Sequence, residues 1–158
     1  MKKTQSALLL IAFVCLSLVG TALYLQIVER MLPCPLCVLQ RYAFIAVAVS
    51  CLLSLTGPAM LRKAWMGMAT VATLCGAGVA LHQLYVIAHP DVSCGIDPLQ
   101  TAVNNLPFAH WLPTVFVAEG MCGTPYDPIL GLSIPQWSLT WFALFFLTLL
   151  FLLIKKPK

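Results

Sequence analysis

Apolar residues fall into four long runs, at about 6–26, 38–55, 64–88 and 137–154, divided by two short polar stretches and one long one. A helix rises 1.5 Å per residue, so about 20 residues cross the roughly 30 Å hydrocarbon core of a bilayer. The second and fourth runs are slightly short, and the third is long enough to tilt. This pattern predicts an all-α integral membrane protein, an antiparallel four-helix transmembrane bundle forming one domain over residues 1–158. Its outer loops are expected at about 27–37 and 89–136.

Composition agrees. Only 9% of the 158 residues are charged and 61% are hydrophobic, against about 25% charged in soluble domains. Charge then orients the bundle. Lys2, Lys3, Arg62, Lys63, Lys155, Lys156 and Lys158, seven of the nine basic residues, fall on one side of the four-span arrangement. The other side holds Arg30, Arg41 and all five acids: Glu29, Asp91, Asp97, Glu119 and Asp127. Basic residues near span ends mark the cytoplasmic side, so both termini are expected there. The net charge of +4 belongs to that inner face and is no nucleic-acid footprint. Lys2 and Lys3 followed by an apolar run resemble a secretory signal. The run exceeds the usual h-region, however, and no small-x-small cleavage site follows, so a retained span is expected.

Between the second and third runs, Gly57-Pro58 marks a tight turn over 56–63. The long outer segment is rich in Pro, Gly, Asn and Asp and reads mostly as loop. Within it Phe108, Trp111, Leu112, Val115, Phe116 and Val117 form an apolar patch. It either lies in the membrane interface or folds the loop on a small core of its own. Ser133-Ile134-Pro135-Gln136-Trp137 reads as a helix start, with Ser133 as cap, Pro135 in the first turn and Trp137 at headgroup level.

Seven cysteines are present. Cys15, Cys51 and Cys75 lie within spans, where a free cysteine behaves as a small hydrophobe. Cys34, Cys37, Cys94 and Cys122 all fall outside, and disulfides persist in an oxidising compartment. A bridge across the 28-residue separation of Cys94 and Cys122 stabilises a loop by about 3–4 kcal/mol in the chain-entropy model. Taken alone, that pair favours a structural staple. Cys34-Pro35-Leu36-Cys37 closes almost no loop, so a staple there gains little. Its spacing is that of dithiol redox chemistry or of a metal knuckle. Pro35 stiffens the turn, and the helix expected next lowers the pKa of a thiol at its N-terminus. A zinc Cys₄ site usually needs two such knuckles and only one is present, so no metal is expected.

Arg41 follows Cys37 by four residues and so shares its helical face. Snorkelling to the headgroups explains how the charge is tolerated. Stabilising an anion near Cys37 explains why it shares the dithiol's face, and an ionisable residue in a span is by default a functional candidate. A dithiol that oxidises proteins repeatedly must pass two electrons onward each cycle. A lipid quinone is a strong oxidant that resides in the bilayer. Neither Cys-x-x-Cys-His nor a glycine-rich dinucleotide fingerprint supports a built-in haem or flavin.

CPLCVLQR, the second outer cysteine pair, WLPTVFVAEGMC and GLSIPQW before the last span together resemble the bacterial disulfide bond formation protein B (DsbB) family over nearly the whole chain. The handover to quinone in that system is what keeps the bacterial periplasm oxidising. The resemblance implies an inner-membrane thiol oxidase with its redox loops in the periplasm. It would reoxidise a DsbA-like soluble oxidase and pass the electrons to ubiquinone, or alternatively menaquinone. Cys34 and Cys37 match the pair oxidised by quinone, with Cys37 nearest the ring and Arg41 beside it. Cys94 matches the residue that forms the mixed disulfide with the partner, and Cys122 the one that exchanges with Cys34. Trp111, Pro113 and Phe116 match the loop between the paired cysteines. The family's basic or histidine position near the outer end of the third span finds its one candidate in His82-Gln83, with the register shifted by a residue and His82 as the side chain carried over. Three rivals are a paralogue dedicated to one partner, a vitamin K epoxide reductase-like enzyme and a non-enzymatic stapled scaffold. The second places its Cys-x-x-Cys late in the bundle rather than before the second span.

Overall fold

The computed structural model describes residues 2–89, 96–121 and 128–154. Its helices are α1 (Lys2–Val28), α2 (Pro35–Thr56), α3 (Ala59–Ala88), α4 (Ile96–Asn104), α5 (Pro107–Trp111), α6 (Pro113–Phe116) and α7 (Ile134–Ile154). Helices α1, α2, α3 and α7 are long and apolar enough to cross a bilayer. The protein is an all-α membrane bundle of four helices.

Helix α2 is the most deeply buried of the four. It packs against α1 and α3, and α3 packs in turn against α7. Leu8, Cys15, Val47, Cys51, Phe142 and Leu149 meet in the main core. Phe44 and Phe142 stack with ring centroids 4.0 Å apart. Gly76 makes room for this stack, because a Cβ there would overlap the Phe142 ring. Outward positions such as Leu9, Phe13, Leu144 and Leu147 are exposed. An apolar belt of that extent belongs in lipid rather than water. Two buried hydroxyls are satisfied within their own helices: Ser54 donates to the Cys51 carbonyl at 2.6 Å and Thr70 to that of Met66 at 2.9 Å. A lipid-embedded bundle must meet its polar demands internally in this way.

Helix boundaries differ from the hydropathy runs in informative places. α2 begins at Pro35, not near residue 38, because Cys34 caps it and Pro35 takes the N1 position. Proline suits N1, where its missing N–H costs no bond. Cys37 therefore sits inside the first turn rather than in the loop before it. α3 begins at Ala59, directly after the extended Pro58, so the turn between the spans shrinks to Gly57-Pro58. The stretch Met60-Leu61-Arg62-Lys63 consists of good helix formers and extends the helix. At α7 the Ser133 N–H donates to the Gln136 side chain at 2.7 Å, one half of a capping box. The Trp137 indole N–H ties back to the Ile129 carbonyl at 2.8 Å.

The outer segment expected to be mostly loop contains α4, α5 and α6. Leu99 and Val103, four residues apart, share one face of α4. Val103 packs with Val38, Ala109, Phe116 and Ala118 in a small core at the outer end of α2. The apolar patch of the sequence thus divides. Phe116 is buried, with Val115 and Val117 packed beside it. Phe108, Trp111 and Leu112 are exposed.

Candidate active site

Cys34 stands at the cap of α2 in an extended conformation (φ −79°, ψ 164°). The Cys37 N–H, one of the helix's free N-terminal donors, donates to the Cys34 sulfur at 3.3 Å. This cap folds the Cys-Pro-Leu-Cys segment back on itself and brings the two sulfurs to 2.7 Å. The local sequence alone therefore brings the two thiols into contact. Cys34 is 2% exposed, and its thiol is pushed up by the hydrogen bond shared with Cys37 and then by burial. Cys37 is the more open of the two.

Both cysteines line a cavity of about 460 Å³ at the outer end of the bundle. Leu18, Ala22 and Leu25 of α1 and Trp137 and Trp141 of α7 line it as well. The cavity's lining is otherwise largely apolar, with Gln40, Arg41 and Gln83 as its long polar side chains and Thr21, Ser133 and Ser138 as its hydroxyls. Gln40, Arg41 and Gln83 are buried, Arg41 at 6% exposure.

Arg41 is fixed from two directions. Its Nη1 donates to the Gln26 side-chain oxygen at 2.8 Å and to the Val115 carbonyl at 3.0 Å, and Nη2 reaches the Ala22 carbonyl at 3.5 Å. The Gln26 amide in turn donates to the Thr114 carbonyl at 3.0 Å. These hydrogen-bond partners are neutral oxygens, so they hold the guanidinium without cancelling its charge. The arginine links α1, α2 and α6 and presents its charge to the cavity that contains the dithiol.

The outer loop closes over the pair from the other side. The Pro33 carbonyl accepts backbone hydrogen bonds from Glu119 and Gly120, each at 3.0 Å. A Cβ at residue 120 would overlap the Leu32 carbonyl oxygen, so glycine permits the close approach.

The model of the disulfide bond formation protein DsbB matches residues 4–152. This chain is a member of the DsbB family. It is 51% identical over 150 residues to disulfide bond formation protein B of Herminiimonas arsenicoxydans, covering 95% of both chains. It is 45% identical over 155 residues to the protein of that name from Ralstonia nicotianae, covering 98% of this chain and 97% of the relative. It is 44% identical over 148 residues to that from Pseudomonas syringae pv. tomato, covering 91% and 86%.

Within this DsbB-family bundle, three of the residues singled out in the sequence, Cys34, Cys37 and Arg41, come together at one cavity. Cys94 and Cys122 lie outside the described residues. His82 does not join the group. It is exposed on α3 and is absent from the cavity lining, which Gln83 enters instead. One helical position is a turn of about 100°, and that rotation carries the ring off the inner face. Gln26 and Gln40 are not among the residues the sequence singles out, and Gln83 enters there only as the neighbour of His82. Gln83 carries a usable signal, since a polar side chain within an apolar span is expensive to bury without a partner.

Proposed function

We propose that this DsbB-family protein is a quinone-dependent thiol oxidase of the bacterial inner membrane, with its cysteine loops in the periplasm. The observation that carries the reading is the Cys34–Cys37 sulfur pair, 2.7 Å apart at the wall of an apolar cavity that also contains Arg41. Electrons reach such a pair from the loop side, and a lipid-borne acceptor draws them off from the bilayer side.

Electrons enter from a DsbA-like thiol oxidase. A partner thiolate attacks Cys94 of the Cys94–Cys122 disulfide, forms a mixed disulfide and releases the Cys122 thiolate. Cys122 attacks Cys34 and expels Cys37 as a thiolate. The partner's second thiol resolves the mixed disulfide, which frees the partner oxidised and leaves Cys94 as a thiolate. Cys94 then attacks Cys122 to re-form its own bridge and leaves Cys34 and Cys37 as a dithiol. One partner disulfide has formed, and two electrons and two protons remain on the Cys34–Cys37 pair.

The cavity suits a quinone headgroup. Its walls are apolar and aromatic, as small-molecule sites usually are, and its one cation sits beside the sulfurs. Trp137, Trp141, Phe44 and Arg41 would hold the ring. A quinone bound there supplies a two-electron, two-proton sink. Arg41 offsets negative charge on the Cys37 side of the cavity, and the apolar walls keep water from it. Ubiquinone is the expected acceptor, with menaquinone as the alternative.

The test uses purified protein, a reduced thioredoxin-fold partner and ubiquinone-1, with quinone reduction followed by absorbance. Turnover by wild type that is lost in both Cys37→Ser and Cys94→Ser supports the oxidase and its two-pair relay. No turnover by folded wild type with either ubiquinone or menaquinone returns the cysteines to structural staples.

A further inference from the structure

Two buried amides stand beside the dithiol. The Gln83 Nε2 of α3 donates to the Cys37 sulfur at 3.2 Å and reaches the Cys34 sulfur at 3.5 Å. Its Oε1 accepts from Gln40 Nε2 at 2.6 Å. Gln83 is 5% exposed and Gln40 4%.

An amide side chain carries a donor end and an acceptor end, so the direction it faces decides what it stabilises. Gln40 fixes that direction. With its Oε1 held by the Gln40 N–H, Gln83 turns its own N–H groups toward sulfur. A donor aimed at sulfur favours the thiolate over the thiol, because the thiolate accepts hydrogen bonds far more strongly. Other candidates for this task are already engaged. The Cys37 backbone N–H is used on Cys34. The Arg41 nitrogens bond oxygens of α1 and α6. Among the described residues, the side-chain groups on the Cys37 sulfur are Gln83 Nε2 and the Cys34 thiol.

We propose that Gln83 is a catalytic residue of the disulfide exchange and Gln40 its positioning residue: the Gln83 amide N–H stabilises the Cys37 thiolate expelled when the Cys34–Cys37 disulfide opens. The inference rests on the oxidase reading for its place in the cycle. In that step a thiolate attacks Cys34, a new sulfur–sulfur bond forms there, the Cys34–Cys37 bond breaks, and Cys37 leaves with the electron pair. Lowering the energy of the leaving thiolate speeds the opening. It also favours the reduced pair, which makes the disulfide a stronger oxidant.

A purely structural role predicts something else. Amides pairing across helices hold membrane bundles together, and their loss would weaken the α2–α3 contact without moving the redox equilibrium of the pair in a set direction.

The experiment needs neither quinone turnover nor a partner protein. Full-length Cys94→Ser/Cys122→Ser protein, freed of quinone, is equilibrated with glutathione redox buffers at pH 7, and the Cys34–Cys37 state is read by mass-resolved alkylation. Gln83→Leu is expected to shift the equilibrium about tenfold toward the disulfide, within what a hydrogen bond to a charged group supports. That corresponds to about 30 mV for two electrons. Gln83→Glu, which puts an acceptor and a negative charge at the sulfur, is expected to shift it further in the same direction. Gln40→Leu is expected to give a smaller shift that disappears in the Gln83→Leu background, the mark of action through Gln83. Equilibria of folded Gln83→Leu and Gln83→Glu within twofold of the parent overturn the proposal. Should Gln83→Leu fail to fold, an unshifted equilibrium in both Gln83→Glu and Gln40→Leu overturns it equally. Because the readout is quinone-free, it stands or falls apart from the turnover assay.

Discussion

Gly120 donates its backbone N–H to the Pro33 carbonyl at 3.0 Å, which joins the residue two before Cys122 to the residue one before Cys34. The clamp holds Gly120, the described residue two before Cys122 in sequence, against the loop that leads into Cys34. Gly120→Ala places a methyl group on the Leu32 carbonyl oxygen and forces the two strands of loop apart. Electron transfer from the second pair to the first is expected to slow roughly ten- to hundredfold, the scale on which small misplacements cost rate. Binding of the soluble partner should change little. Rapid quenching after mixing oxidised protein with reduced partner, with the Cys34–Cys37 state read by alkylation, checks this. A Gly120→Ala protein that reduces its first pair at the wild-type rate removes the clamp from the relay.

Arg41 makes three hydrogen bonds to α1 and α6 while its charge faces the cavity, so its loss acts on stability and chemistry together. Arg41→Gln removes the charge and leaves buried acceptors unpaired, at about 1–3 kcal/mol for each one stranded. Quinone-linked turnover is expected to fall at least about tenfold, the cost of roughly 1.4 kcal/mol. Arg41→Lys keeps the charge but loses the planar fork, so it should recover part of the turnover and little of the lost thermal stability. Steady-state kinetics against ubiquinone-1 concentration, with melting curves in detergent, separates the two effects. Equal activity of Arg41→Gln and wild type would reduce the arginine to a structural tie.

The four spans were legible because lipid imposes one requirement, about 20 apolar residues each, and hydropathy reads it directly. The dithiol was legible because Cys34 and Cys37 are close in sequence and their chemistry follows from spacing. What escaped were relationships between helices. Nothing local to Gln83 says that α3 delivers it to the Cys37 sulfur, or that Gln40 sets its orientation. The short helices α4, α5 and α6 were hidden under Pro, Gly and Asn. Their stability comes from tertiary contacts such as Val103 with Val38 and Phe116, and nine or fewer residues hold no helix by propensity alone.

Gly76 faces the Phe142 ring, which stacks on Phe44 at 4.0 Å. A methyl group at residue 76 overpacks that seam between α3 and α7. Gly76→Ala is expected to destabilise the bundle by about 1–3 kcal/mol, despite alanine's better helix propensity. Phe44 also lines the cavity, so a displaced ring would narrow the space beside the sulfurs. Thermal unfolding in detergent reads the first effect. A melting point equal to or above that of wild type would mean that the seam relaxes without strain.

His82 and Gln83 are adjacent in sequence and divided by the geometry of one helix. His82 is exposed and absent from the cavity lining, whereas Gln83 touches both sulfurs. If the imidazole served the acceptor, removing it would alter the dependence of turnover on quinone concentration. From its position His82→Ala should leave that dependence within about twofold, inside the small effects usual for exposed substitutions. Gln83→Leu should lower turnover in the same assay. Measuring the two variants side by side against ubiquinone-1 assigns the outer end of α3. A loss confined to His82→Ala would mean that the helix presents the opposite face to the acceptor during turnover.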